Sequence, residues 1–304
     1  MKMLLFGASG LVGGTLARMG GEAGHSIRGT VGSWSGSAIP GLTEQVKADL
    51  MDPAAVDHAI TTSGATVIVN AAAVSEPGAC DADPGRSHRL NVELPAQLAG
   101  LAGKSGARLI HLSSEQVFDG TTPPYSTGDP VHGINLYARQ KIEAEARVHA
   151  ICASALTLRL PLLLGNSLSR RRSVHERLLE LWSAGGAAKL YVDEFRQCCT
   201  AGSVARAILE IIDRPGLAGV LHWAGADPLS RFEIGERIRR RFGLTERQAP
   251  IVAVERKDDP RALASRPANL SMNLEPLATL LPTKPQTADA AFAELEPPPW
   301  WQTG

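Results

Sequence analysis

Short apolar runs alternate with longer amphipathic stretches along the first half of the chain. Lys2–Phe6 (KMLLF), Ser26–Val31 (SIRGTV), Thr66–Asn70 (TVIVN), Arg108–Leu112 (RLIHL) and Leu156–Leu160 (LTLRL) are aliphatic or β-branched and bounded by Gly, Ser or Asn, which predicts strands. Between them the periodicity turns helical over Leu11–Glu22, Pro53–Thr62, Pro84–Ser105 and Leu136–Ala150. Strands alternating with helices predict the α/β class: a doubly wound, Rossmann-like parallel sheet with helices on both faces.

After about Gly165 the rhythm changes. Ser173–Ala184, Ser203–Asp213 and Phe232–Phe242 read as helices and Val220–Trp223 as a short strand. Beyond Gly243 the chain is richer in proline and lacks a clear period. The pattern predicts a sheet domain over residues 1–164. Residues 165–304 are expected to form mainly a smaller substrate-binding domain, with some segments returning to the sheet. There is no internal repeat.

The composition narrows the class. Of 304 residues, 44% are hydrophobic and 20% charged, an ordinary globular balance. Lys plus Arg and Asp plus Glu are 31 each, and this zero balance speaks against an electrostatic nucleic-acid binder. No apolar run reaches the roughly 18 residues of a membrane span, so no membrane partner is expected. The apolar stretch Met3–Phe6 runs straight into glycines and does not read as a signal peptide. Cys80, Cys152, Cys198 and Cys199 show no C-x-x-C spacing, and reduced thiols in a cytoplasm are the simplest expectation. The eight histidines lack H-E-x-x-H or a similar ligand spacing, so no catalytic metal is expected.

Gly7-Ala8-Ser9-Gly10-Leu11-Val12-Gly13 joins the first strand to the first helix. In a dinucleotide site Gly7 permits the tight turn, Gly10 lets backbone approach a pyrophosphate, and Gly13 allows close helix–strand packing. The helix N-terminus would hold the phosphate charge. NAD sites usually carry an acidic residue about 20 positions further on, yet no Asp or Glu occurs between Glu22 and Glu44. Arg28, Thr30, Ser33 and Ser35 stand there instead and could accept a 2′-phosphate. NADP is therefore favoured, with NAD open, and Arg28 is alternatively a solvated strand residue.

Tyr137 and Lys141 lie four apart, on one face of a helix. A free tyrosine titrates near 10, and a neighbouring ammonium is expected to lower it by about 1–3 units. Ser114 follows the strand Arg108–Leu112, where parallel sheets place reactive groups. Its hydroxyl could hold a carbonyl oxygen while Tyr137 protonates it.

These residues resemble the extended short-chain dehydrogenase/reductase superfamily. Leu112-Ser113-Ser114-Glu115-Gln116-Val117-Phe118-Asp119-Gly120, Pro123-Pro124-Tyr125, Asn135-Leu136-Tyr137, Asn70-Ala71-Ala72-Ala73, Leu90-Asn91 and Arg266-Pro267-Ala268-Asn269 are similar to the dTDP-4-dehydrorhamnose reductase branch. The resemblance implies NAD(P)H-dependent reduction of a 4-keto group on a nucleotide-linked deoxysugar. It implies that Ser114 polarises the keto oxygen, Tyr137 is the acid and Lys141 orients the cofactor ribose. Asn70, Ala71, Ala72, Ala73 and Asn91 would serve the cofactor, Asp49 and Leu50 its adenine, and Pro161 the nicotinamide. Ser75, Ser114, Glu115 and Arg196 are the substrate candidates. A homodimer is compatible with this reading.

Two positions depart from that branch. Its Thr-Asp-Tyr is here Ser114-Glu115-Gln116, and a tryptophan of the rhamnose enzymes is here Leu162. Both fall on the sugar side. Leu158-Arg159-Leu160-Pro161 with Gly165, and His222-Trp223-Ala224-Gly225 before Phe232-Glu233, also resemble the regulatory β subunits of methionine adenosyltransferase. A non-catalytic NADP-binding role is thus an alternative, as is an epimerase or dehydratase. Arg170-Arg171-Arg172 and Arg239-Arg240-Arg241 could grip a nucleotide diphosphate or form solvated faces.

Overall fold

A computed structural model describes residues 1–301. Strands β1 (Lys2–Phe6), β2 (Ser26–Val31), β3 (Glu44–Lys47), β4 (Val67–Asn70), β5 (Arg108–Ser114) and β6 (Leu156–Leu160) join Gly219–His222 in one seven-stranded sheet. Every pairing in it is parallel. From one edge the order is Gly219–His222, β6, β5, β4, β1, β2, β3. The chain therefore reverses its direction of travel between β1 and β4, and open α/β sheets bind ligands outside the strand ends at such a point.

Side-chain alternation divides the core into two layers. Met3 and Leu5 of β1 and Val67 and Val69 of β4 face α1 (Leu11–Glu22) and Ala201–Ile212. Leu4, Phe6 and Ile68 face the other layer, built from α2 (Pro53–Thr61) and two later helices. The expected Pro84–Ser105 helix is broken: Pro84–His88 and Leu94–Ser105 flank a π-helical turn at Arg89–Glu93. Pro95 supplies no N–H to the ladder, which allows the wider turn. That turn aims Asn91 inward, and its side chain bonds Val74 N at 2.9 Å and Val74 O at 3.0 Å.

From residue 165 onward the chain serves two bodies. Ala201–Ile212 and Gly219–His222 pack with the sheet. Arg108 ties them together, donating to Ile211 O at 2.6 Å, Ile212 O at 3.2 Å and Leu217 O at 2.8 Å. Much of the remainder builds a separate core from Leu178, Leu179, Trp182, Ile234, Ile238 and Phe292, while Leu277 and Leu281 join the α1 layer and Leu270 and Met272 pack on Phe118 and Tyr125. Ala188–Tyr191 pairs in parallel with Ile251–Val254, and Phe195–Arg196 runs antiparallel to Leu229–Ser230. All four cysteines are buried free thiols, with Cys152, Cys198 and Cys199 in three different core clusters. Among the described residues, no helix is long and apolar enough to cross a membrane.

Candidate active site

A cavity of about 1210 Å³ opens beyond the carboxyl ends of β1, β4, β5 and β6. The glycine turn forms one wall. Gly7 adopts φ 81°, and a Cβ there would lie 2.8 Å from Ala72 backbone. At Gly13 a Cβ would meet Gly7 O at 2.1 Å, so only glycine lets α1 start this close to the strand. Gly10, Leu11 and Val12 line the cavity, and Ala71, Ala72, Ala73, Ser75 and Pro161 line it beside them. Gly10 caps α1 without a side chain, leaving a backbone cradle that a dinucleotide diphosphate fits.

Helix Leu136–Ile151 brings Tyr137 and Lys141 to the same cavity. Its N-cap Asn135 accepts from Ala138 N at 2.9 Å and donates to Gln116 Oε1 at 3.1 Å, which locks the helix to the strand carrying Ser114. Ser114 stands beside the Tyr137 phenol, and its Oγ accepts from Gln116 N at 3.2 Å. Lys141 Nζ donates to Leu112 O at 2.9 Å and lies 6.0 Å from the Tyr137 ring centroid. The expected lowering of the phenol pKa does not occur. Burial raises Tyr137 to about 12 against the opposing bond from Ser114. Burial also lowers Lys141 to about 8, which Glu145 counters.

The opposite wall is ionic. Glu115 Oε1 accepts from Leu162 N at 3.1 Å and pairs with Arg196 Nε at 3.2 Å. Its Oε2 is buried without a hydrogen-bond partner among the described residues. Burial pushes the Glu115 carboxyl up to about 8, outweighing the Arg196 guanidinium. Glu194, also buried, meets Arg196 at 3.2 Å, Arg266 at 3.1 Å and Arg231 at 3.8 Å. Two carboxyl groups thus face three guanidiniums across one cavity wall. The sequence reading missed Glu194 and Arg231 and quoted Arg266 only as part of a motif. No spacing rule connects three segments that meet only in the fold.

Several expected positions lie elsewhere. Arg28 does not line the cavity: its guanidinium reaches across to Glu44 of β3 at 2.7 and 2.8 Å and to Thr62 at 3.1 Å. It sits three residues before the strand end, about 10 Å short of the rim, with its guanidinium already held by Glu44. Ser33, Asp49 and Leu50 are also outside the cavity lining, as are Ser9 and the structural glycines Gly7 and Gly13. Asn70 is buried, bonding His111 Nδ1 at 3.2 Å and Ala72 N at 3.2 Å. Asn91 bonds Gln140 at 2.9 Å as well as Val74. Both asparagines shape the wall from behind.

The chain matches the RmlD substrate binding domain family over residues 1–295. It is 31% identical over 287 residues to methionine adenosyltransferase 2 subunit beta of Mus musculus, spanning 92% of this chain and 82% of that protein. It is 28% identical over 241 residues to a probable low-salt glycan biosynthesis reductase, Agl14, of Haloferax volcanii, spanning 78% and 79%. Among solved structures, a dTDP-4-dehydrorhamnose reductase from Bacillus anthracis in complex with NADP has the same fold, with a TM-score of 0.81 at 16% identity and coverage of 97% and 98%. With a match over nearly its whole length, the chain belongs to the RmlD substrate binding domain family.

Proposed function

We propose that the protein is an NADPH-dependent reductase of a 4-keto group on a nucleotide-activated deoxysugar. One observation carries this reading: Ser114, Tyr137 and Lys141 share a single cavity with the glycine turn and a positively biased wall. The bound cofactor would supply a hydride to the keto carbon. Ser114 holds the keto oxygen, and Tyr137, neutral at physiological pH, gives it the proton. Lys141, anchored on Leu112 O, orients the ribose side of the site. Arg196, Arg231 and Arg266 suit the sugar's diphosphate, and Glu115 and Ser75 suit sugar hydroxyls. The segments from residue 165 that leave the main sheet form the sugar-side wall. The four buried thiols fit a reducing compartment such as the cytoplasm.

The test is oxidation of NADPH, followed at the reduced nicotinamide band, against a panel of dTDP- and GDP-4-keto-6-deoxysugars. Stoichiometric oxidation with one member supports the reading. A regulatory role is the second reading, and the 31% identity to a methionine adenosyltransferase subunit favours it. Tight NADPH binding without oxidation of any panel member selects that role and overturns the reductase.

A further inference from the structure

Three consecutive arginines follow Gly165, and the structure gives them three different surroundings. Arg170 pairs with Glu296 at 3.3 Å. Arg171 pairs with Glu180 and lies 5.1 Å from the Trp300 ring centroid. Arg172 bonds through its backbone N–H, but its guanidinium has no partner among the described residues. It faces the glycine turn instead: a Cβ added at Gly10 would lie 3.9 Å from Arg172 Nη1. Both residues line the cavity.

The loop that presents Arg172 is tied down from below. Glu176, wholly buried, accepts from Ser167 N and Oγ at 2.8 and 2.6 Å, and from the N–H groups of Arg172 and Ser173 at 2.8 Å each. The C-terminal segment holds it from the side. Asn166 bonds Glu294 O and Glu296 N at 3.1 and 3.0 Å, and Trp300 Nε1 donates to Arg170 O at 2.9 Å. Leu168 rests on α1, 2.8 Å from where a Gly14 Cβ would stand. A fixed backbone therefore holds an uncommitted cation over the turn, and little backbone order remains to be gained when an anion arrives.

We propose that Arg172 clamps the diphosphate of the dinucleotide against the glycine turn. The inference rests on the cavity being a nicotinamide dinucleotide site. A guanidinium from the loop and N–H groups from α1 would grip the same phosphates from two sides, each as charge-assisted hydrogen bonds.

The test is equilibrium binding of NADPH and of NADH, without sugar, to wild type, Arg172→Ala and the charge-matched control Arg171→Ala. Arg172→Ala is expected to weaken both dinucleotides by about tenfold, and Arg171→Ala to stay within about twofold of wild type. Arg172→Lys, which keeps the charge, should recover part of the loss, also if the alanine variant melts below wild type. Binding of both dinucleotides within about twofold of wild type in Arg172→Ala overturns the clamp. A loss confined to NADPH overturns it too, because the contact would then be to the 2′-phosphate. Failure of wild type to bind either dinucleotide overturns the cavity reading itself.

Discussion

Tyr137 and Lys141 respond to burial in opposite directions. The phenol is pushed up to about 12 and the ammonium down to about 8, because burial penalises whichever form carries charge. The Tyr137 proton is thus present at neutral pH and available to a developing alkoxide. Tyr137→Phe should lower turnover at least about 100-fold while changing NADPH affinity less than about threefold, as measured by steady-state kinetics and direct binding. Equal loss of both would make Tyr137 a structural residue.

Glu115 provides a second titration. Its folded carboxyl sits near 8 against an ordinary 4.5, so the folded state holds this proton more tightly than the unfolded chain does. The contribution to stability is complete below the unfolded value and is lost as pH rises through the folded one. Measured as the melting temperature of wild type minus that of Glu115→Gln, it should fall by about 3 °C or more between about pH 5 and about pH 8.5. A pH-independent difference would contradict this.

At the scale of elements, legibility follows burial. β1, β2 and α1 have the bounds their patterns predict, because each buries a regular apolar face. β3 carries no such face: Glu44–Lys47 is an edge strand of mostly exposed residues, and its sequence is as polar as a loop. Ser114 was readable because it lies just beyond the predicted strand Arg108–Leu112, which in the fold extends to include it. Of the ionic wall the resemblance supplied Glu115 and Arg196, whereas Glu194 and Arg231 were not readable and Arg266 stood only in a motif, since these segments meet only in the fold. Arg108 belongs to this scale as well. It opens β5, yet its guanidinium serves the C-terminal carbonyls of Ala201–Ile212, where a cation meets the negative end of the helix. Arg108→Ala should cost about 2 kcal/mol in denaturant unfolding, and an unchanged midpoint would contradict the assignment.

Across the whole molecule, the strand reversal between β1 and β4 decides where the chemistry can lie. It brings the glycine turn, the Ala71–Ala73 segment and the end of β5 to one rim. The second core then closes that rim from the far side, contributing Leu178 and Ile234 beside Arg231. The glycine turn and the helix that carries Tyr137 and Lys141 thus belong to the sheet body, and the charged wall comes largely from segments after residue 165.

The buried thiols turn this architecture into something that can be timed. Cys199 sits in the α1 layer, Cys152 in the opposite helical layer, and Cys198 in the second core. Cys80 lies against Val74 O and Asn91, behind the cavity wall. An alkylating reagent reaches each sulfur only when its surroundings open, so four labelling rates on one molecule report four openings. Adjacent residues 198 and 199, facing different cores, would show whether the two bodies breathe together or apart.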